Sequence, residues 1–180
     1  MGQRSERAVV LVTGIQAAGK STVAQSLAER LPRSVHVRGD VFRRMVVGGR
    51  AEMGPEPSEE ALRQLRLRHD LAASTADAYY EAGFTAVVQD VVLGEFLPYL
   101  VDRVRSRPLL VVVLAPTPAA ITVREAGRAK RAYDEWTVNA LDRVLREETP
   151  RLGLWLDTSE QTADETVTEI LARWSEAVVE

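Results

Sequence analysis

The stretch from Gly14 to Ser21 reads Gly-Ile-Gln-Ala-Ala-Gly-Lys-Ser, a complete G-x-x-x-x-G-K-[ST] phosphate-binding loop. Glycines let a backbone wrap closely around phosphate oxygens, and the amides of the loop and of the following helix direct partial positive charge at the anion. In such a loop Lys20 would reach the outer phosphates and the Ser21 hydroxyl would contact a bound Mg²⁺ ion. The residues predicted to bind the phosphates are Gly14, Ile15, Gln16, Ala17, Ala18, Gly19, Lys20, Ser21 and Thr22.

Lysine is rare in this sequence. Of the 23 basic residues, only Lys20 and Lys130 are lysines and all others are arginines. A planar guanidinium does not replace a compact ammonium where a point charge is needed. The presence of a lysine at position 20 therefore supports a functional loop over a glycine-containing turn that binds nothing.

Asp40 follows the short predicted strand Ser34–Val37 and lies in the stretch Arg-Gly-Asp-Val-Phe-Arg-Arg of residues 38–44. A carboxylate that faces the phosphates can accept the proton of a hydroxyl nucleophile, or hold Mg²⁺ through water. Aspartate is also a favoured N-cap, here for a helix that begins near Val41. Arg43 and Arg44, one helical turn later, are candidates for binding an anionic or hydroxylated acceptor, with a solvated surface role as the alternative.

Asp90 ends the run Thr85–Gln89, where phosphate-loop enzymes often keep an acid for metal or substrate. Because Ala86–Gln89 contains only three clearly apolar residues, the Walker B pattern is weak. A turn acid at the end of a strand is the alternative. His69 falls on the apolar stripe of a long predicted helix, and we expect it to have a packing or hydrogen-bonding role.

A basic segment extends from Arg124 to Arg131. Arg124, Arg128 and Arg131 are separated by four and three residues, so they share one side of any helix. Phosphoryl transfer needs positive charge around the moving group, and arginines that close over a nucleotide supply it. We predict a lid over about 124–136 with Arg128 as its catalytic arginine; a solvated helix face is the alternative.

Apolar runs alternate with amphipathic stretches along the chain, which is typical of a parallel α/β sheet. The predicted strands are 8–13, 34–37, 85–90, 109–115 and 154–157. Helices are expected from Lys20 to Pro32, from Ser58 to Gly83, and over about 95–106 and 137–147. A further helix should follow Thr117-Pro118, and a last helix, capped by Thr162, should bury Val178.

The composition bounds the function classes. The chain has 180 residues, 46% of them hydrophobic and 27% charged, with a net charge of −3, no cysteine and two histidines. A single soluble α/β domain over 1–180 is expected. Disulfide and thiol chemistry are excluded, and the negative charge argues against a general nucleic-acid binder. No apolar stretch approaches the length of a membrane span, so we expect a cytoplasmic protein without membrane or nucleic-acid partners.

Taken together, four features resemble the small P-loop kinases: the phosphate loop, the Gly39-Asp40 pair with Arg43, the arginine-rich segment, and the closing Leu156–Ser159. The chain is most similar to the chloramphenicol phosphotransferase-like and zeta-toxin-like kinases, and less so to adenylylsulfate, gluconate and shikimate kinases. The resemblance follows the element order over nearly the whole chain, and only the phosphate loop is sharply specific.

This resemblance implies a three-layer α/β/α sandwich with five parallel strands in the order 2-3-1-4-5. It also implies ATP and Mg²⁺ as cofactors, Asp40 as the base, an acceptor-binding helical insertion over about 41–82, and adenine near the loop after Asp157. The acceptor itself stays open: an antibiotic or other natural product, a sugar, or a nucleotide-derived metabolite.

Three function classes follow from the sequence. The first is an ATP-dependent kinase that phosphorylates a hydroxyl of a small molecule, with a toxin-type kinase acting on a nucleotide sugar as a variant. The second is a nucleotide-hydrolysing switch, against which stands the absence of an Asn-Lys-x-Asp motif and of a Leu-Ser-Gly-Gly-Gln motif. A non-catalytic binding module is the third reading, and Asp40 with the basic segment argues against it.

Overall fold

The central feature of the fold is a parallel β-sheet, seen in a computed structural model that describes residues 7–126 and 135–180. Its strand order is β2-β3-β1-β4-β5, and all four neighbouring pairs are parallel, which confirms the predicted topology. The strands are β1 (Val9–Gly14), β2 (Ser34–Arg38), β3 (Thr85–Gln89), β4 (Leu109–Leu114) and β5 (Leu154–Leu156).

Helices cover both faces of this sheet. Their bounds are α1 (Lys20–Arg30), α2 (Gly39–Met45), α3 (Glu59–Glu81), α4 (Phe96–Arg103), α5 (Pro118–Ala126), α6 (Glu135–Arg143) and α7 (Ala163–Ala172), with a π-helical turn at Val144–Glu148 and a 3₁₀ turn at Trp174–Ala177. One core joins the even-numbered residues of β1 to α1 and α7. The other joins the odd-numbered residues of β1 to α3, α4, α5 and α6.

The two central strands explain why the sheet is parallel and fully covered. Every residue of β1 and β4 is buried, as expected when nearly continuous apolar runs pack against helices on both faces. Helix starts follow the predicted chemistry: the Ser58 side chain accepts a hydrogen bond from the Ala61 amide, and Thr162 and Glu165 form a reciprocal capping box.

The C-terminal segment differs from its prediction. The last helix ends at Ala172, and Val178–Val179 form a sixth short strand, β6, antiparallel to Leu109–Leu110 of β4. Val178 is therefore not on a buried helix face, and its side chain is 43% exposed. β5 pairs only with residues 112–114 of β4. The edge of the first half of β4 is therefore not covered by β5, and β6 pairs with it instead.

The carboxyl ends of β1, β2 and β3 bring the phosphate loop, α2 and Asp90 to one edge of the sheet. Ligands of open parallel sheets collect at this edge. In the part of the chain that the structure describes, no helix is long and apolar enough to cross a membrane.

Candidate active site

The phosphate loop joins β1 to α1 by a turn that depends on glycine. Gly14 has φ 148°, and a Cβ at this position would lie 2.4 Å from the Leu114 carbonyl oxygen of the neighbouring strand. Gly19, with φ 91°, precedes the first residue of α1, where its carbonyl oxygen accepts a bond from the Val23 amide. The loop is thus held against the sheet with the N-terminus of an 11-residue helix at its end.

Lys20 and Ser21 begin α1 and both line the cavity above the sheet. The Lys20 side chain is 6% exposed, and its Nζ donates to the Ile15 carbonyl oxygen at 2.6 Å, which folds the side chain back across the loop. Ser21 Oγ donates to Gln89 Oε1 at 3.2 Å, so the last residue of β3 orients this hydroxyl. These are the positions expected for a phosphate-contacting lysine and a metal-contacting serine.

Asp40 lies in the first turn of α2, where it lines the same cavity. It is not the N-cap, because the helix begins one residue earlier and Arg38 occupies the cap position. Its Oδ2 pairs with Arg44 at 3.0 Å, and Arg38 Nε lies 3.8 Å from Oδ1. Within the described residues, Oδ1 is buried without a hydrogen-bond partner. One carboxylate oxygen is therefore oriented by an arginine while the other retains its accepting capacity.

Asp90 follows β3 and is 1% exposed. Its two oxygens accept from one guanidinium: Arg68 Nε lies 2.6 Å from Oδ2, and Arg68 Nη2 donates to Oδ1. Oδ1 also accepts from the Val91 amide at 2.7 Å. The carboxylate predicted to contact metal or substrate thus forms a bidentate ion pair with Arg68 of α3. Both residues line the cavity. A metal contact of Asp90 stays a prediction.

Gly39 allows α2 to start directly against this ion pair. A Cβ on Gly39 would lie 2.0 Å from Asp90 Oδ2. Since Arg68 and the Val91 amide hold the carboxylate, it cannot move aside without losing these bonds. The Arg-Gly-Asp order of residues 38–40 therefore has a steric reason: the residue before Asp40 must lack a side chain.

We expect Gly39→Ala to lower the free energy of unfolding by about 2 kcal/mol or more, because overpacking a buried site forces side chains and backbone apart. Chemical denaturation measures this change. Gly48→Ala is the matched control, since a Cβ at Gly48 meets no atom within 4 Å. Equal stability of the two variants would contradict the close packing of α2 on Asp90.

His69 has the packing role that its place on the apolar stripe predicted. Its ring is fully buried, stands edge-on to Phe96 with centroids 5.6 Å apart, and places Nε2 4.0 Å from Asp90 Oδ2. Neither ring nitrogen has a hydrogen-bond partner in the described part of the chain. Burial, together with the nearby positive charge of Arg68, lowers the pKa of His69 from 6.5 to about 3.

This depressed pKa makes stability depend on pH. Below pH 6.5 the unfolded chain takes up a proton at position 69 that the folded protein excludes until about pH 3. As the pH falls from 6 to 4.5, His69 should therefore lower the free energy of unfolding by about 1.4 kcal/mol for each pH unit. Denaturation at several pH values gives the free energy of unfolding as a function of pH. In His69→Leu the slope of this dependence should be smaller than in the wild type by this amount. An unchanged slope in the variant would refute the depressed pKa of His69.

One large cavity collects most of the predicted site residues. Its volume is about 1260 Å³, and it extends from the phosphate loop to the walls formed by α2 and α3. The predicted residues that line it are Gln16, Ala17, Gly19, Lys20, Ser21, Thr22, Asp40, Arg43 and Asp90. Gly14, Ile15 and Ala18 belong to the same loop but do not line the cavity. Arg44 is also outside the lining and contacts the site through its ion pair with Asp40.

The arginines of the predicted lid are only partly described. Arg124, near the end of α5, donates through Nη2 to the Thr158 carbonyl oxygen and lies 3.4 Å from the Ser159 carbonyl oxygen. This contact joins it to the loop after β5 and not to the cavity lining. Arg128 and Arg131 lie outside the described residues. A phosphate-binding role of all three arginines stays a prediction.

The loop after β5 is rigidified by its own hydrogen bonds. Asp157 accepts from the Ser159 amide at 3.0 Å and from the Ser159 hydroxyl, and these bonds lower the pKa of Asp157. The Ser159 hydroxyl also accepts from the Thr117 amide at 2.9 Å. The loop is therefore tied to the start of α5, beside the region that the resemblance assigns to adenine.

The residues present fit a nucleoside triphosphate with Mg²⁺. The glycine turn, the buried Lys20 ammonium and the helix N-terminus supply positive charge for phosphate oxygens, and Ser21 presents a hydroxyl oxygen as a ligand. Within residues 7–126 and 135–180, no group of three or more histidine or acidic side chains is arranged to hold a metal.

Comparison with known proteins places the chain in a family. A family model described as an AAA domain matches residues 9–150, well over half of the chain. The chain belongs to this AAA domain family. A 60-residue stretch of this AAA domain protein is 45% identical to a UPF0200 protein of Aeropyrum pernix. That match covers 33% of the chain and 32% of the relative, so the chain spans about a third of the length of the curated relative that it matches.

Solved structures similar to this AAA domain protein include three that carry kinase or resistance names. A sugar kinase from Janibacter sp. HTCC2649 has a TM-score of 0.69 and 19% identity, with 95% of each chain covered. A gluconokinase from Sinorhizobium meliloti 1021 has a TM-score of 0.68 and 19% identity, covering 93% of this chain and 91% of that one. The tunicamycin resistance protein of Deinococcus radiodurans has a TM-score of 0.66 and 16% identity, with 97% and 99% covered. The fold is thus that of the small P-loop kinases.

Two residues of the site in this AAA domain protein were not found from the sequence. Arg68 lies within a long amphipathic helix among several other arginines, so nothing local distinguishes it. Gln89 was treated as part of a weak Walker B strand, although it is the residue that contacts Ser21. A usable signal was present at Gln89: a polar residue at the end of an otherwise apolar parallel strand lies at the ligand-binding edge.

Proposed function

We propose that this protein is an ATP-dependent kinase that transfers the γ-phosphate to a hydroxyl group of a small molecule. The observation that carries this proposal is the shared cavity of the phosphate loop and Asp40. The Asp40 side chain lines this cavity and is 40% exposed, and Arg44 lies 3.0 Å from its Oδ2. A carboxylate so placed is suited to accept the proton of an acceptor hydroxyl.

The proposed reaction divides the work among few residues. Asp40 orients the acceptor hydroxyl and takes its proton as the oxygen attacks the γ-phosphorus; the bond from this phosphorus to the bridging oxygen breaks, and ADP leaves. Lys20 neutralises charge on the outer phosphates, and Ser21 would be the protein ligand of the Mg²⁺ that accompanies ATP. We assign charge stabilisation during transfer to the lid arginines, with Arg128 as the first candidate.

A small-molecule acceptor is supported by the names of two similar structures, a sugar kinase and a gluconokinase. Within the small P-loop kinases, we propose that this protein belongs to the chloramphenicol phosphotransferase-like or zeta-toxin-like group. The acceptor-binding insertion over about 41–82 corresponds to most of α2, the loop after it and α3. We further propose that the protein acts in the cytoplasm, without nucleic-acid or membrane partners.

A coupled assay of ADP release tests this function. The purified protein is supplied with MgATP and, one at a time, with hydroxylated metabolites and antibiotics, and phosphorylated products are identified by mass spectrometry. Stimulation of ADP release together with a phosphorylated product is the expected result. Steady hydrolysis that no acceptor stimulates would replace the kinase with a nucleotide-hydrolysing switch. Phosphorylation of a nucleotide sugar would instead identify a toxin-type kinase.

A further inference from the structure

Exposed apolar side chains line part of the cavity. We infer that the acceptor is an uncharged hydroxyl compound with a large apolar portion, and that Met45, Met53, Leu67 and Leu71, here called the apolar wall, bind that portion. The inference rests on the proposed kinase function and adds the substrate class to it.

The apolar wall is exposed and yet gathered at one place. The exposed fractions are 65% for Met45, 46% for Met53, 51% for Leu67 and 41% for Leu71, and all four side chains line the cavity. They are half of the eight large hydrophobic residues exposed in the described part of the chain. Exposed apolar side chains that converge on one concave surface indicate a binding site for apolar matter.

Less exposed apolar residues extend this wall toward the phosphate loop. They come from α2 and the residue after it, from α3, from the segment after β3 and from the start of α4, and they are Phe42, Val46, Leu62, Leu65, Leu93 and Phe96. Typical small-molecule sites measure about 300–1000 Å³, and this cavity of about 1260 Å³ exceeds that range. Space for a bulky acceptor therefore lies beyond the phosphates.

The charges of the lining disfavour an anionic acceptor. Apart from Lys20 of the phosphate loop, the described lining contains two basic residues, Arg43 and Arg68, and five acidic ones. Arg43 donates to Glu52 Oε2, and Arg68 is held by Asp90. An acceptor carboxylate, sulfate or phosphate would therefore meet arginines whose charge a carboxylate already offsets, and it would also approach the other acids.

The pair Arg43–Glu52 is built into the fold. Gln64 of α3 donates to the Gly49 carbonyl oxygen at 2.8 Å and accepts from the Ala51 amide at 3.0 Å. These bonds attach the loop after α2 to α3 and hold Glu52 beside Arg43. Arg50 lies 3.0 Å from the other oxygen of Glu52, so this carboxylate faces two arginines.

Three related glycosides separate the effect of the apolar portion on binding from the effect of an acceptor charge. Methyl β-D-glucoside carries hydroxyls without a tail, and n-octyl β-D-glucoside adds an apolar tail. In n-octyl β-D-glucuronide the tail is unchanged and a carboxylate replaces the hydroxymethyl group of the sugar. Isothermal titration calorimetry without nucleotide, below the micelle concentrations, gives each Kd. We expect the octyl glucoside to bind at least about tenfold more tightly than either other probe. Equal or tighter binding of the methyl glucoside or of the glucuronide, or no binding of any probe, overturns the inference.

Glu52→Gln tests the charge term directly. This change leaves Arg43 and Arg50 without their shared carboxylate, so the preference for the glucoside over the glucuronide should shrink by about fivefold to tenfold. Glu56→Gln, in the same loop but outside the cavity lining, is the matched control and should keep the wild-type preference. An unchanged preference in Glu52→Gln would show that the ion pairs do not select the acceptor.

The readouts keep this inference apart from the kinase proposal. Tight binding of the octyl glucoside without ADP release or phosphorylated product on addition of MgATP would retain the acceptor class and count against the kinase. Product formed from the glucuronide in preference to the glucoside would retain the kinase and overturn the acceptor class.

Discussion

Lys20→Ala is expected to lower turnover by about 10²–10³-fold and to weaken ATP binding. Lys20 is a buried residue, 6% exposed, whose ammonium contacts the Ile15 carbonyl oxygen, and a charge in a buried setting acts strongly on phosphate oxygens. Steady-state kinetics and equilibrium binding of a non-hydrolysable ATP analogue measure the two losses separately.

Two further variants at this position test the cause. Lys20→Met keeps most of the buried volume and should lose as much activity as Lys20→Ala, because the charge is what matters. Lys20→Arg should also fail, because a planar guanidinium does not fit the place of an ammonium. Arg63→Ala, on the exposed side of α3, changes the net charge equally and should retain full activity. Wild-type turnover in Lys20→Met would contradict the role of the charge.

Asp40→Asn is expected to lower transfer to an acceptor by about 10²–10⁴-fold while ATP binding stays unchanged. Asparagine keeps the shape of the side chain but cannot take up the hydroxyl proton. The partners of Asp40 are partly exposed arginines, so losing these ion pairs should change stability by less than about 1 kcal/mol. Rates of acceptor phosphorylation, read beside the Kd of the ATP analogue, test the assignment.

Asp102→Asn, an exposed aspartate of α4, is the matched control for loss of a carboxylate and should keep the wild-type rate. An unchanged transfer rate in Asp40→Asn would remove the general base from the mechanism. A parallel loss of ATP binding and transfer would instead make Asp40 a simple binding contact. These outcomes differ because the base acts on the transition state and not on bound ATP.

The phosphate loop and the sheet order could be predicted because their determinants are local. Eight consecutive residues specify the glycine turn between β1 and α1, and the buried strands β1 and β4 are recognisable as continuous apolar runs. Helix starts at Ser58 and Thr162 were readable for the same reason, since a cap acts over three residues. Val178 was misplaced because β6 is specified by the free edge of a strand about 70 residues earlier in the chain.

The sequence by itself determined the glycine loop that is predicted to bind phosphates and placed Asp40 and Asp90 at strand ends. Only the tertiary structure decided what these acids contact. Asp90 pairs with Arg68 and lies against Gly39, and Ser21 is oriented by Gln89, 68 residues away. Such partners meet because the parallel sheet brings the ends of distant strands together, and local sequence patterns do not encode which side chains then come within bonding distance.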